Sequence, residues 1–159
     1  MDREILFRGQ TRRRGEKVNM AGKPIEGNWV YGGIFQGTGD FSIIYGSVDP
    51  DSITGSNLEK HVVYTDTVGQ YTGLTDKNGV KIFEGDIVKW GHTPGCRENP
   101  VRIAEVKIAP DIQFDAIIGE RRNVFHYGAF LYAGRTDEVL EVIGNIHDNP
   151  ELMGGGNDG

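Results

Sequence analysis

The chain has 159 residues, 37% of them hydrophobic, which allows one domain or two very small ones with a real core and excludes a disordered chain. Its net charge of −6 is uneven: residues 1–23 hold seven Arg or Lys against three acids, so the remaining body carries −10, a field that argues against nonspecific DNA binding. Cys96 is the only cysteine and no run approaches 18 apolar residues, which excludes an intrachain disulfide and a spanning helix and points to a reducing, cytoplasmic setting.

Glycine is the outlier, 24 of 159 residues with no collagen period, about twice ordinary usage. Many glycines among short apolar runs mean many tight turns, and so an all-β protein. Met1-Asp2-Arg3-Glu4 leads into no apolar stretch, so a secretory signal is not expected. Ile5-Leu6-Phe7 predicts a first strand, residues 8–23 a polar, basic loop, and residues 28–32 a second strand ending in Gly32-Gly33. Phe41, Ile43 and Tyr45 alternate with Ser42, Ile44 and Gly46, a third strand buried on at least one face. Residues 49–57 read as a loop and His61-Val62-Val63-Tyr64 as a strand.

The run from Val68 to Trp90 carries the clearest signal. Asp76-Lys77-Asn78-Gly79 suits a type I turn closed by a glycine at positive φ, a geometry glycine reaches without steric cost. Glu84-Gly85-Asp86 marks a second reversal, followed by the strand Ile87-Val88-Lys89-Trp90. Residues 91–100 form a second long loop. Val101 and Ile103 lie on one parity and Ala104, Val106 and Ile108 on the other, which suggests a β-bulge. Residues 125–132 are apolar on both parities and predict a central strand. Leu140, Val142, Gly144 and Ile146 alternate with Glu141, Ile143 and Asn145 in a last strand. Asn149-Pro150-Glu151 starts a single helical turn, and residues 154–159 have the composition of a disordered tail. The core is expected from Tyr71, Leu74, Ile82, Phe83, Ile87, Val88, Leu131, Val142 and Ile146.

Motifs with chemical meaning are incomplete. Gly32-x4-Gly37 has the glycine spacing of a phosphate loop but lacks the following Lys and Ser/Thr. Asp49, Asp51 and Glu59 fall out of register with a calcium loop, whose glycine would sit one position earlier than Gly55. His92 and Cys96 share one loop without the paired motifs zinc requires. Cys96 beside Arg97 is a lone thiol, and Asp86 after a turn glycine suits local backbone hydrogen bonding better than acid catalysis. No cofactor, metal site or catalytic residue is therefore expected, and the chain is read as a non-enzyme.

The stretch from Gln70 to Gly79, the following Ile82-Phe83-Glu84-Gly85-Asp86-Ile87-Val88, the closing Val142-Ile143-Gly144-Asn145-Ile146-His147-Asp148-Asn149-Pro150-Glu151-Leu152 and the opening Arg3-Glu4-Ile5-Leu6-Phe7-Arg8 resemble the YopX family of phage and prophage proteins. Phe83 stands where many relatives have tyrosine. The resemblance implies a phage- or prophage-encoded protein without an established activity, and a small SH3-like barrel in the C-terminal half. The expected organisation is an N-terminal β region with long loops over 1–67, an SH3-like barrel region over 68–153 and the tail.

Two functions fit. The first is a non-catalytic interaction module that binds a phage or bacterial host protein, with a homo-oligomer left open. Its anchors would be aromatics left outside a small β protein, with Trp29, Tyr31 and Trp90 foremost. The second is a nucleic-acid-binding accessory using Arg12, Arg13 and Arg14, which the acidic body disfavours.

Overall fold

The computed structural model describes residues 4–11, 29–53, 58–91, 101–118, 121–130 and 132–154. Arg12, Arg13, Arg14, His92, Cys96 and Leu131 lie outside them. The protein is mainly antiparallel β-sheet with short helices, and it divides into two compact units, Met1–Gln70 and Tyr71–Gly159.

In the first unit, β1 (Phe7–Gln10), β2 (Trp29–Phe35), β3 (Phe41–Ser47) and β4 (Glu59–Tyr64) pair in the order β4-β3-β2-β1. Thr11, just past β1, bridges Val63 of β4, so the four strands curl round on themselves. The interior is small: Val30, Ile44 and Val63 are buried, with Ile34 and Val68 against them. Gly9 permits this closure. A Cβ there would lie 2.8 Å from Val63 Cγ2 and 3.2 Å from Ile44 Cδ1, so any larger residue would push β1 off the core. The 3-10 turn Thr65–Thr67 locks the end of β4. The Thr67 hydroxyl accepts the Gln10 N–H at 2.8 Å and donates to the Tyr64 carbonyl at 2.6 Å. The strand β5 (Gly69–Thr75) begins beside β1, with Gly69 opposite Arg8 and Gln70 opposite Phe7.

In the second unit, β5 continues into a hairpin with β6 (Lys81–Phe83), and Tyr71 pairs with Phe83. Gly79 sits at φ +79° and its N–H donates to the Asp76 carbonyl at 3.0 Å, the turn the residue types require. The second reversal holds as well: Gly85 has φ +93°, and the Asp86 carboxylate accepts the Phe83 N–H at 2.8 Å. Next come β7 (Asp86–Trp90), β8 (Arg102–Ile108), β9 (Ile112–Ile118), β10 (Arg121–His126) and β11 (Glu141–Asn145), in the sheet order β10-β9-β8-β7-β11. Two single-turn helices, α1 (Thr136–Val139) and α2 (Glu151–Gly154), flank β11. Ile82, Val88, Trp90, Ala104, Val106, Phe114, Ala116, Phe130 and Leu140 form the core. Leu74 and Val142 pack on its margin, Ile146 is half-buried, and Tyr71, Phe83 and Ile87 are buried.

Several elements differ from expectation. β8 has no bulge: it runs in unbroken register with both β7 and β9, and Ile103 and Ile108 are only half-buried on its two parities. The register shift falls in β11, between Val142 and Gly144. Residues 125–130 do not form the expected central strand. β10 ends at His126 on the sheet edge, and a 3-10 turn follows over Tyr127–Ala129. Both parities are apolar because Phe125 and Phe130 reach the same core from a strand end and from the turn after it. Finally, β1 begins at Phe7 and extends into the segment read as loop, and β2 continues through Gly32-Gly33 to Phe35.

Candidate functional site

Directly paired residues of antiparallel strands share a sheet face. In the first unit, the register Gly33–Tyr45–Lys60, Phe35–Ile43–Val62 and Phe41–Tyr64 therefore assembles one outer face across β2, β3 and β4. Its exposed members are Phe35 (67%), Tyr45 (48%), Val62 (41%) and Phe41 (36%), with Ile43 and Tyr64 half-buried between them. The rings of Phe41 and Tyr64 lie 5.3 Å apart. The opposite parity carries Val30, Gly32, Ile34, Ser42, Ile44, Gly46 and Val63, with Glu59 and His61 at the start of β4. A four-stranded curl has interior volume for glycine, serine and aliphatic side chains. The rings are displaced outward, where their apolar area meets water.

Trp29 and Tyr31 extend this face along β2 and are half-buried. Trp29 is opposite Gln10 and Tyr31 opposite both Arg8 and Ser47. The buried Arg8 guanidinium stacks 4.6 Å from the Trp29 ring centroid, a cation–π contact. Trp90 does not belong to any exposed surface. It is 6% exposed in the second unit's core, with Phe114, Phe125 and Phe130 centroids at 6.0, 5.4 and 5.3 Å. Tyr127 and Tyr132 are half-buried beside that core, and the Tyr127 hydroxyl accepts the Gly134 N–H at 2.9 Å. The sequence reading missed Phe35, Phe41, Tyr45, Val62 and Tyr64. The alternation over residues 41–46 was visible, but not which parity faced in.

Carboxylates bracket the outer face at both ends of β3 and β4. Asp40 precedes β3 and Asp66 follows β4, brought together by the Thr65 N–H donating to the Asp40 carbonyl at 2.8 Å. At the other end, Asp49 and Asp51 follow β3, whereas Glu59, which opens β4, lies opposite Gly46 on the other parity. The Asp51 N–H donates to the Asp49 carboxylate at 2.9 Å, and this bond and the Ser52 hydroxyl lower the Asp49 pKa.

The second unit carries a different charged arrangement. Glu105 of β8 faces Asp115 of β9. Arg122 donates its Nε–H to both Asp115 oxygens at 2.8 Å, and Lys107 Nζ lies 2.9 Å away. These contacts, Arg122 first, hold Asp115 below the usual carboxylate range, while burial raises Glu105. Both cations are directed to Asp115, so the arrangement serves cross-strand pairing. The other candidates remain apart: His61 lies 3.9 Å from Glu59, His126 lies 3.1 Å from Asp111, and Asp86 bonds backbone. Among the described residues, no three or more His, Cys, Asp or Glu are grouped to hold a metal ion, and no helix is long and apolar enough to cross a membrane.

Residues 26–154 match the family model described as YopX protein. The chain belongs to the YopX family. The matched region spans β2, β3 and β4, and so most of the aromatic face. β1 and Arg12–Arg14 precede it. Among solved structures, the crystal structure of protein EF1440 from Enterococcus faecalis is similar at 23% identity. That match covers 94% of this chain and 98% of that one, with a TM-score of 0.44. No curated protein matches the chain.

Proposed function

We propose that this YopX-family chain is a phage- or prophage-encoded, non-catalytic interaction module that acts in the host cytoplasm. It docks a phage or host protein through the outer face of β2, β3 and β4. One observation carries the reading: Phe35, Phe41, Tyr45 and Val62 stand exposed side by side on regular strands. Neighbouring apolar side chains on a rigid sheet pay little ordering entropy on binding, and aromatics supply most of the contact energy where partners meet. The test is affinity capture from infected or lysogenic cells with the wild-type chain and with Phe35→Ser/Tyr45→Ser. A captured protein should be lost with the variant, and amide exchange should slow on β2–β4 in its presence. Capture indifferent to these residues would overturn the reading.

A second reading has one supporting observation, the Arg8–Trp29 stack on the strand that leads into Arg12, Arg13 and Arg14. Aromatic platforms with arginine suit single-stranded nucleic acid. That binding would fall steeply with salt and with replacement of the three arginines by alanine. Duplex DNA should give no mobility shift at low-micromolar protein near physiological salt, because three arginines release too few counterions.

A further inference from the structure

We propose that the aromatic face takes a protein segment with an apolar centre and Lys or Arg at both ends. The inference rests on the interaction reading and specifies its partner. The face is apolar in the middle, through Phe35, Ile43, Tyr45 and Val62. Asp40 and Asp66 close one end, and Asp49 and Asp51 the other. The two acidic ends are separated by β3, whose seven residues span roughly 20 Å at about 3.4 Å per residue. On the face itself Lys60 lies opposite Tyr45, and Arg8 is buried against Trp29. Among the described residues, four carboxylates thus bracket a face with one outward lysine. An acidic partner, or a phosphate backbone laid along β3, would meet like charge at both ends. A segment with basic ends gains at both, and its apolar centre covers the rings.

The probes are three synthetic peptides with one shared centre of alternating Leu, Tyr and Val. Their ends are Lys-Lys, Ser-Ser or Glu-Glu. Fluorescence anisotropy with the full chain should rank them basic, neutral, acidic. Single rim pairs are weak, but several acting together should favour the basic over the neutral peptide by about tenfold at low salt. That preference should shrink at high salt and in Asp40→Asn/Asp49→Asn/Asp51→Asn/Asp66→Asn. Phe35→Ser/Tyr45→Ser should abolish binding of all three. Equal binding of basic and neutral peptides, lost with the Phe35/Tyr45 variant, would overturn the basic-ended partner and leave the interaction reading standing. Basic-peptide binding that survives that variant would overturn the inference, as would failure of every peptide to bind. Displacement of the basic peptide by a short oligouridine would overturn it in favour of nucleic acid. Circular dichroism on each variant confirms that it has folded.

Discussion

The Asp76 carboxylate accepts the Val142 N–H at 2.8 Å, joining residues 66 positions apart. Asp76 is 2% exposed, and its other oxygen accepts the Asn78 and Val80 N–H groups at 2.8 and 2.9 Å. The Lys77 N–H donates to the Leu140 carbonyl at 2.8 Å alongside. One side chain therefore shapes the β5–β6 turn and holds β11 to it. Two stretches of the family pattern that are remote in sequence meet at this carboxylate.

Asp76→Ala should lower stability by roughly 2–4 kcal/mol, because it removes the acceptor of three backbone N–H groups at a buried site. Urea unfolding measures it. Amide exchange should quicken at Val142 and Val80 together. Acceleration at Val80 alone would mean that β11 does not depend on the contact.

Gly79→Val should cost roughly 1–3 kcal/mol, since a β-branched residue resists φ +79°. Nothing lies within 4 Å of a Cβ built there, so the cost is backbone strain alone. Gly79→Asn, which tolerates that region, should recover much of it. An equal loss for both variants would point to something other than φ.

Two aromatics should separate cleanly. Trp90→Ala empties a core site and should cost about 3–5 kcal/mol. Tyr45→Ser acts on the outer face and should change stability by about 0.5 kcal/mol or less. Denaturant midpoints for the pair test which ring is structural, independently of any partner.

The β8–β9 carboxylates should respond to pH with opposite signs. Asp115 is held below its ordinary value by Arg122, so its contribution is present above about pH 3.9 and is lost as pH falls through the native value. Glu105 is raised by burial, so its ionised form weakens the fold near neutrality. Stability then recovers as pH falls through its native value toward about 4.3. Glu105→Gln should raise the urea midpoint at pH 7 and flatten the approach to pH 4.5. Asp115→Asn should lower the stability at pH 7 by about 1 kcal/mol, discounted because Arg122 is largely exposed, with little effect near pH 2.

Residue types alone made the turns legible. Gly79 and Gly85 sit where the chain must take positive φ, Asp86 bonds its local backbone, and Asn149-Pro150-Glu151 opens α2. Each is a decision made within about four residues, by a steric limit or a donor count that neighbours cannot change. The all-β class followed from the same spacing. Tertiary structure decided which rings are buried. Trp90 and Tyr45 both sit on strands, yet one faces Phe114, Phe125 and Phe130 and the other faces outward. Alternation marks two faces without naming the inner one. That depends on the volume enclosed, and the curl closed by Thr11, Gly9 and Val63 encloses glycine, serine and aliphatic side chains. The meeting of Asp76 with Val142 was equally out of reach, because a hydrogen bond across 66 positions exists only once the strands between them have paired.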